Sequence, residues 1–582
     1  MPVRRDLAVR PRFLDRLAAS VPLGVAAAAM AGGPTDLPRL GSNLESINDW
    51  GTTLPFRDLF KTSRPWISGN SATWQWDDGR PLDLDADGWV RSLLPNQIAR
   101  TLMLVDDTTL RVGAGRWVVT YAGSGQIQYA NQVTPLASSP GRDLVEIRAH
   151  ANGGMFLYLT ATNPADPIRD IRIVPEGYAD DPAPPLFHPD FLARLGSYRV
   201  LRFMDWANTN ETDLARWSER PEPADARWSS RRGVPLEIMC ELANATCSEP
   251  WFCIPHLADD DYIRAAAELV HARLEPGLRV WIEHSNETWN GIFPQAAHAQ
   301  SEGLAAGLAT NAWQAGWFWH SRRSVRIFGI FAEVFGSERE LVRVMGGFVT
   351  VPWGNEQALS FEDAHLHTDV LAIAPYFGGE WGNDRLADAR ALDVPGLLAA
   401  LRKDSLPWAI GLTAHNKAVA DAFGVGLVAY EGGHHLAAPQ LAASDPVHAL
   451  FHDAARSEGM GELYAEYLDA WREAGGETFV NFSLCGRFTR WGCWSVLEWI
   501  TQPTTPREQA LIAYGADEPA PDCGRAPCRG DFDGDRSVGP IDLGRILSDW
   551  GQADPVADLD DSGTVDAADL FLLLSAWGPC PS

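Results

Sequence analysis

Residues 279–290 read RVWIEHSNETWN. Val280, Trp281 and Ile282 are apolar and β-prone, as in a buried strand. Asn286 and Glu287 then end the run, with Trp289 close behind. A strand that closes on a polar pair beside an aromatic suits an α/β barrel, whose C-terminal strand ends carry the reactive groups. Residues 426–433, GLVAYEGG, repeat the pattern: Glu431 closes an apolar run and two glycines follow. Either glutamate alone reads equally well as a solvated strand end, so the weight falls on the pair.

Working outward, residues 186–505 alternate strands with helices. Strand candidates are 198–204, 251–254, 279–282, 341–345, 370–374, 427–429 and 479–482, with helices such as 261–274 and 320–335 between them. Residues 236–242 are too close to the strand at 251 for a parallel crossover of about a dozen residues. They are therefore expected to be helical, over 235–243. The missing eighth strand is then 41–45, which places Glu287 on the fourth strand and Glu431 on the seventh. Residues 73–180 have another texture, short alternating runs separated by Gly, Asp, Asn and Pro, and read as an antiparallel β-sandwich. On this count the sandwich is inserted between the first strand, with its lead-in at 41–66, and the first helix. Counting from 198 instead leaves it N-terminal. The expected fold class is α/β, a (β/α)8 TIM barrel with this second domain.

A chain of 582 residues exceeds one core and implies two to four domains. The formal net charge of −28 argues against nucleic acid or an anionic membrane as partner. The 24 tryptophans favour sugar binding, since an indole face stacks on a pyranose. Residues 1–33 read as an export signal: Arg4, Arg5, Arg10, Arg12 and Arg16 precede the apolar run VPLGVAAAAMA at 21–31. No other run is long and apolar enough to span a bilayer, so a secreted protein is expected. The eight cysteines fit an oxidising compartment. Cys240/Cys247, Cys485/Cys493 and Cys528/Cys580 are plausible pairs, which leaves Cys253 and Cys523. His434, His435, His365 and His367 lack enough companions at metal spacing and read as loop residues. Asn286, Glu287 and Thr288 match a glycosylation sequon, a match that the bacterial-type export signal marks as accidental.

With Asn286–Glu287 on the fourth strand and Glu431 on the seventh, the chain resembles the clan A glycoside hydrolases, a (β/α)8 superfamily. Further matches follow the family 5 pattern: Arg202 in VLRF, His256 in CIPH and Tyr376 in AIAPYF. The resemblance covers residues 41–66 and 186–505. It departs at the eighth strand, where Cys485 follows 479–484 and Trp491 and Trp494 come only later. The resemblance implies hydrolysis of a β-linked polysaccharide with retention, Glu287 being the acid/base and Glu431 the nucleophile, and needs no cofactor for catalysis. Retention requires two carboxyl groups about 5–5.5 Å apart, one protonated and one ionised. Arg202 is expected to depress the pKa of Glu431, and Glu431 to raise that of Glu287. Asn286 is expected to bind a sugar hydroxyl and Tyr376 to hold Glu431, while Trp206, His256 and Trp289 are further substrate-binding candidates. The alternative is a carbohydrate-binding protein without turnover, docked to a scaffold.

The tail holds a repeat. Asp531, Asp533, Asp535, Ser537 and Asp542 recur 27 residues later as Asp558, Asp560, Ser562, Thr564 and Asp569. Oxygen groups at loop positions one, three, five, seven and twelve, followed by a helix, make a calcium loop of EF-hand type. The duplicated form resembles a dockerin, which implies structural calcium and a cohesin-like protein partner. This small all-α module is expected over 528–582, after a linker at 506–527. The first loop departs from the pattern, with Arg536 at the turn position and Gly539 at position nine.

Overall fold

The computed structural model describes residues 37–73, 75–105, 113–148, 153–180, 185–336, 341–516, 518, 523, 529–532, 537–552, 556–560 and 562–580. Eight parallel strands close into a barrel: β1 Leu40–Asn43, β2 Val200–Arg202, β3 Glu249–Ile254, β4 Val280–His284, β5 Leu341–Gly346, β6 Val370–Ile373, β7 Gly426–Ala429 and β8 Phe479–Asn481. Each pairs with its sequence neighbour, and β1 closes the ring by pairing with both β2 and β8. Every residue of β3 and β4 is buried, the pattern of strands covered on both faces. Gly41 lies where a Cβ would come within 2.8 Å of the Val200 carbonyl oxygen, so only glycine fits between the two partners of β1. Leu236–Thr246 is a helix, as the short gap before β3 requires, and it ends at Cys247 in the left-handed region, φ 50°. Glu287 therefore follows the fourth strand and Glu431 the seventh.

Between β1 and the helix Pro189–Leu195 lie two four-stranded antiparallel sheets. One orders Ile67–Asn70, Gln97–Met103, Met155–Thr162 and Gly125–Asn131. The other orders Arg169–Pro175, Gly115–Ala122, Arg142–Ile147 and Val133–Ser139. Burial alternates strictly along Arg142–Ile147, the mark of a strand with one face on a core. Val119, Val145, Ile147, Leu157, Leu159 and Ile173 from both sheets share one buried cluster. The insertion count holds, and the sheets begin at Ile67, earlier than residue 73.

Two expectations are corrected. Residues 506–515, placed in a linker, form the helix Pro506–Gly515, N-capped by Thr505. Its Arg507 and Glu508 are buried, and Arg194 pairs with Glu508 at 3.1 Å, which ties this helix to the first one. The expected pairs Cys240/Cys247 and Cys485/Cys493 are also corrected, whereas Cys580 is disulfide-bonded. Cys247 is bonded to Cys523, across 276 residues, while Cys240, Cys253, Cys485 and Cys493 are free and buried. Spacing along the chain carries no information about a bridge that depends on the C-terminal segment returning to the end of an early helix. Cys528 and the export segment at 1–33 lie outside the described residues. In the tail, helices Pro540–Ser548 and Ala567–Ser575 share a small cluster that includes Val538, Ile546, Leu559, Val565 and Leu573. Among the described residues no helix is long and apolar enough to cross a membrane.

Candidate active site

Arg202, the last residue of β2, is fully buried at the barrel mouth. A lone guanidinium there would be very costly, so each of its N–H groups needs an acceptor. All five have one. Nε and Nη2 donate to Glu283 Oε2 at 3.0 and 2.8 Å, and Nη2 also donates to Asn286 Oδ1 at 2.9 Å. Nη1 donates to Glu431 Oε1 at 3.0 Å and to Asn43 Oδ1 at 3.2 Å. Arg202 thus joins the ends of β1, β4 and β7. Glu283, on β4 itself, is the closest partner. It also accepts from Trp251 Nε1 at 2.9 Å and lies 3.4 Å from the Cys253 thiol.

Glu431 is 7 % exposed. Its second oxygen accepts from the Tyr376 hydroxyl at 3.1 Å. Glu287 accepts from the Tyr430 hydroxyl at 2.8 Å on Oε1 and from Asn290 Nδ2 at 2.7 Å on Oε2. The two carboxyls are therefore each held by a tyrosine, and Tyr430 is the immediate chain neighbour of Glu431. Glu287 has φ 41°, a left-handed conformation that costs a Cβ-bearing residue about 1 kcal/mol or more. Such strain persists only where surrounding bonds fix it, here at both carboxylate oxygens.

The expected depression of the Glu431 pKa is corrected. Burial pushes it up to about 8, Arg202 pulls against burial, and the charges of Glu287 and Asp205 add to the rise. Burial outweighs the opposing Arg202, whose one positive charge also pairs with Glu283. Asp205, just beyond β2, is itself pushed up to about 7, first by burial and then by Glu45, with Arg202 opposing.

The other expected site residues divide. Asn286 is brought to the centre, but its amide spans Arg202 and Asn210, donating to Asn210 Oδ1 at 3.0 Å. Tyr376 stands where the sequence placed it. His256 packs against His298, 5.3 Å between ring centroids, and burial lowers its pKa to about 4. Trp206 is buried against Phe191, Phe203 and Phe56, and Trp289 is buried in a parallel stack on Trp317 at 5.1 Å. Both indoles pack the scaffold, a correction to their expected place against substrate. Glu287, Tyr376 and Tyr430 line an open cleft of about 680 Å³ with Phe348, His435 and Trp408. The aromatic missing from the end of β8 is supplied from further along the chain: Trp494 lies edge-on to Tyr376 at 5.6 Å and to His435 at 4.6 Å. The sequence reading missed Glu283, Tyr430 and Asn290. A charged residue inside the apolar run VWIEH was the one available signal for Glu283.

In the tail, one oxygen from each of Asp558, Asp560 and Asp569 lies within 4.8 Å of the others. Asp558 Oδ1 also accepts from Ser562 N at 3.0 Å, and Ser562 Oγ donates to the Thr564 carbonyl at 3.2 Å, so the loop closes on itself. Three carboxylates and no nitrogen or sulfur suit a hard cation such as calcium. In the first loop Asp542 accepts from Phe532 N at 2.6 Å and Gly539 N at 2.7 Å, as Asp569 accepts from Leu559 N and Asp566 N. Asp531 and Ser537 are described, whereas Asp533 and Asp535 lie outside the described residues.

No protein-family model matches the chain, and no curated protein matches it. Among solved structures, the chain is similar to a 4-O-α-L-rhamnosyl-β-D-glucuronidase from Fusarium oxysporum 12S, at 13% identity over 60% of this chain and 69% of that one, with a TM-score of 0.38. It is similar to CelM2, a bifunctional glucanase-xylanase protein from a metagenome library, at 10% identity over 56% and 73%, with a TM-score of 0.35. It is also similar to the exo-β-1,4-mannosidase Op5Man5 from Opitutaceae bacterium strain TAV5, at 14% identity over 56% and 54%, with a TM-score of 0.33.

Proposed function

We propose that the chain is a secreted glycoside hydrolase that cleaves a β-linked polysaccharide with retention of configuration. The observation that carries this reading is the matched pair of carboxyls at the ends of β4 and β7, each fixed by a tyrosine hydroxyl. Glu287 lines the open cleft, where a leaving oxygen has room, and it donates the proton to that oxygen. Glu431 attacks the anomeric carbon as the glycosidic C–O bond breaks, forming a glycosyl ester. Glu287, now ionised, takes a proton from water, whose oxygen displaces Glu431 and completes the hydrolysis. Arg202 and Tyr376 hold Glu431 and favour its charged form against the opposing effect of burial. Tyr430 and Asn290 hold Glu287 in position.

The two antiparallel sheets form a β-sandwich in this reading. The tail is a dockerin in which Asp558, Asp560, Ser562, Thr564 and Asp569 hold calcium, matched in the first loop by Asp531, Asp533, Asp535, Ser537 and Asp542. It docks the enzyme to a cohesin-like protein. The ion would rigidify the loop and takes no part in hydrolysis.

The test is hydrolysis of a polysaccharide panel with the anomer of the first product read by NMR. Glu431→Ala is expected to abolish turnover in a protein that stays folded by circular dichroism. One observation favours a second reading, a carbohydrate-binding protein without turnover: Glu431 is buried, which raises its pKa and favours its neutral form. A fluorinated, mechanism-based glycoside separates the two, since only a nucleophilic Glu431 becomes labelled.

A further inference from the structure

Beside the cleft lined by Glu287, between the end of β1 and the segment after β8, is a second pocket of about 430 Å³, lined by Glu45, Trp50, Thr52, Trp491, Trp494 and Ser495 among others. It lies on the Glu431 side: Glu45 is two residues past Asn43, which shares Arg202 Nη1 with Glu431, and the Glu45 charge acts on Asp205, whose charge acts on Glu431. Both volumes are ordinary for ligand sites, about 300–1,000 Å³. Trp494 stands between the two spaces. Trp494 lines the second pocket and touches Tyr376 and His435, which line the first.

The second pocket is built to display apolar rings. Residues 489–492 form a tight turn in which Thr489 and Gly492 exchange backbone hydrogen bonds, each 3.0 Å. Trp491 N donates to Thr489 Oγ1 at 3.1 Å, and Trp494 Nε1 donates to the Trp491 carbonyl at 3.0 Å. Gly492 has φ 138°, and a Cβ there would lie 2.1 Å from Trp494 Nε1. The turn thus requires glycine and presents the Trp491 indole, which is 60% exposed with the Arg490 guanidinium 4.4 Å from its ring centroid on one face. Across the pocket Trp50 is 48% exposed, its backbone N–H donating to Asn48 Oδ1 at 3.1 Å. Two large rings held in water by rigid turns forgo burial that a ligand would supply. In the same pocket Glu45 Oε1 accepts from Ser483 Oγ at 2.6 Å and Ser495 Oγ at 2.9 Å. Among the described residues no donor reaches its Oε2. Aromatic faces beside a fixed carboxyl match a sugar ring, apolar on its faces and hydroxylated at its edge.

We propose that this pocket binds the sugar units on the Glu431 side of the scissile bond, Trp491 and Trp50 stacking on pyranose faces and Glu45 bonding their hydroxyls. The side follows from Glu287: the proton donor lines the other cleft, so the leaving portion lies there, where Trp408 is 53% exposed. The substrate is then a polymer held on both sides of the bond and cut within the chain. This rests on the glycosidase reading. Burial also raises the Glu45 pKa, so its carboxyl keeps a proton to higher pH than an exposed one and offers a donor as well as acceptors.

The test uses the full chain carrying Glu431→Gln, titrated in a calorimeter with cellohexaose, mannohexaose and xylohexaose. At least one hexaose is expected to bind. Adding Trp491→Ala or Glu45→Gln is expected to weaken that binding about tenfold or more. A parent that binds none of the three, or an affinity that neither substitution changes, overturns the pocket. Turnover by the unsubstituted chain is scored separately: hexaose binding without any hydrolysis would sink the glycosidase reading and leave the pocket standing.

Discussion

Tyr376→Phe removes one hydroxyl and tests how Glu431 is charged. The hydroxyl donates to Glu431 Oε2 at 3.1 Å and pulls down a pKa that burial pushes up to about 8. Glu431 is only 7 % exposed, so water replaces the lost donor poorly. A hydrogen bond to a charged group is worth about 1.5–3 kcal/mol. At about 1.36 kcal/mol per pH unit, the loss moves Glu431 up by about 1–2 units. Turnover needs Glu431 ionised, so the acid limb of the rate profile moves to higher pH. The assay is kcat/KM on a 4-nitrophenyl β-glycoside from pH 4 to 10, with circular dichroism confirming the fold. Below the limb the variant is expected to be about 10–100-fold slower than the parent, with the gap narrowing as pH rises. The limb belongs to the interacting carboxyl pair and is read as an apparent value. A loss that is uniform across pH, or a limb that moves down, would refute the account.

Three further outcomes follow from the same geometry. Glu283→Ala leaves Arg202 buried with half its ion pairing and orphans Trp251 Nε1, so urea unfolding is expected to show a loss of about 3–5 kcal/mol; a loss under about 1 kcal/mol would contradict it. Glu431→Gln is expected to be more stable than the parent by about 2–5 kcal/mol at pH 9 and to lose that advantage near pH 4, because a folded pKa of about 8 against 4.5 makes the parent's stability fall as pH rises between those values. Equal stability of the two proteins across that window would rule this out. In the tail, Asp558→Asn is expected to weaken calcium binding by the full chain about tenfold or more, measured by calorimetry. Calcium uptake that ignores the substitution would show that this loop holds no ion.

The barrel was legible because its strands are apolar runs with chemistry at their ends. The gap before β3 was too short for a crossover, and that one length argument moved the first strand to the start of the chain. Glu287, Glu431, Arg202 and Tyr376 were legible for the same reason, as polar groups at strand ends. Glu283 was hidden one residue beyond Ile282 in the strand itself, and without it Arg202 seemed to belong to Glu431 alone. The pKa of Glu431 was misjudged because its burial, which outweighs Arg202, leaves no trace in a strand-end pattern. Trp206 and Trp289 looked like platforms because they follow strand ends, but whether an indole is displayed or covered depends on what packs over it, here Phe191 and Trp317. Tyr430 reaches Glu287 across the mouth, a contact with no trace in local pattern. The bridge from Cys247 to Cys523 spans 276 residues, a separation that spacing along the chain cannot reveal.

The pairing of β1 has a consequence for how the chain is made. Its partners are β2 and β8, so the strand synthesised first is matched on one side by the strand synthesised last. At roughly 5–20 residues per second, the half-paired β1 waits roughly 20–90 s for β8 to emerge. In that interval the inserted sheets, whose strands pair only with one another, are free to fold as a unit. They anchor one end of the gap while the barrel remains an open sheet with a bare edge. The order of assembly is thereby written into the topology: insert first, ring last, and both carboxyls in place only when β1 has accepted its final partner.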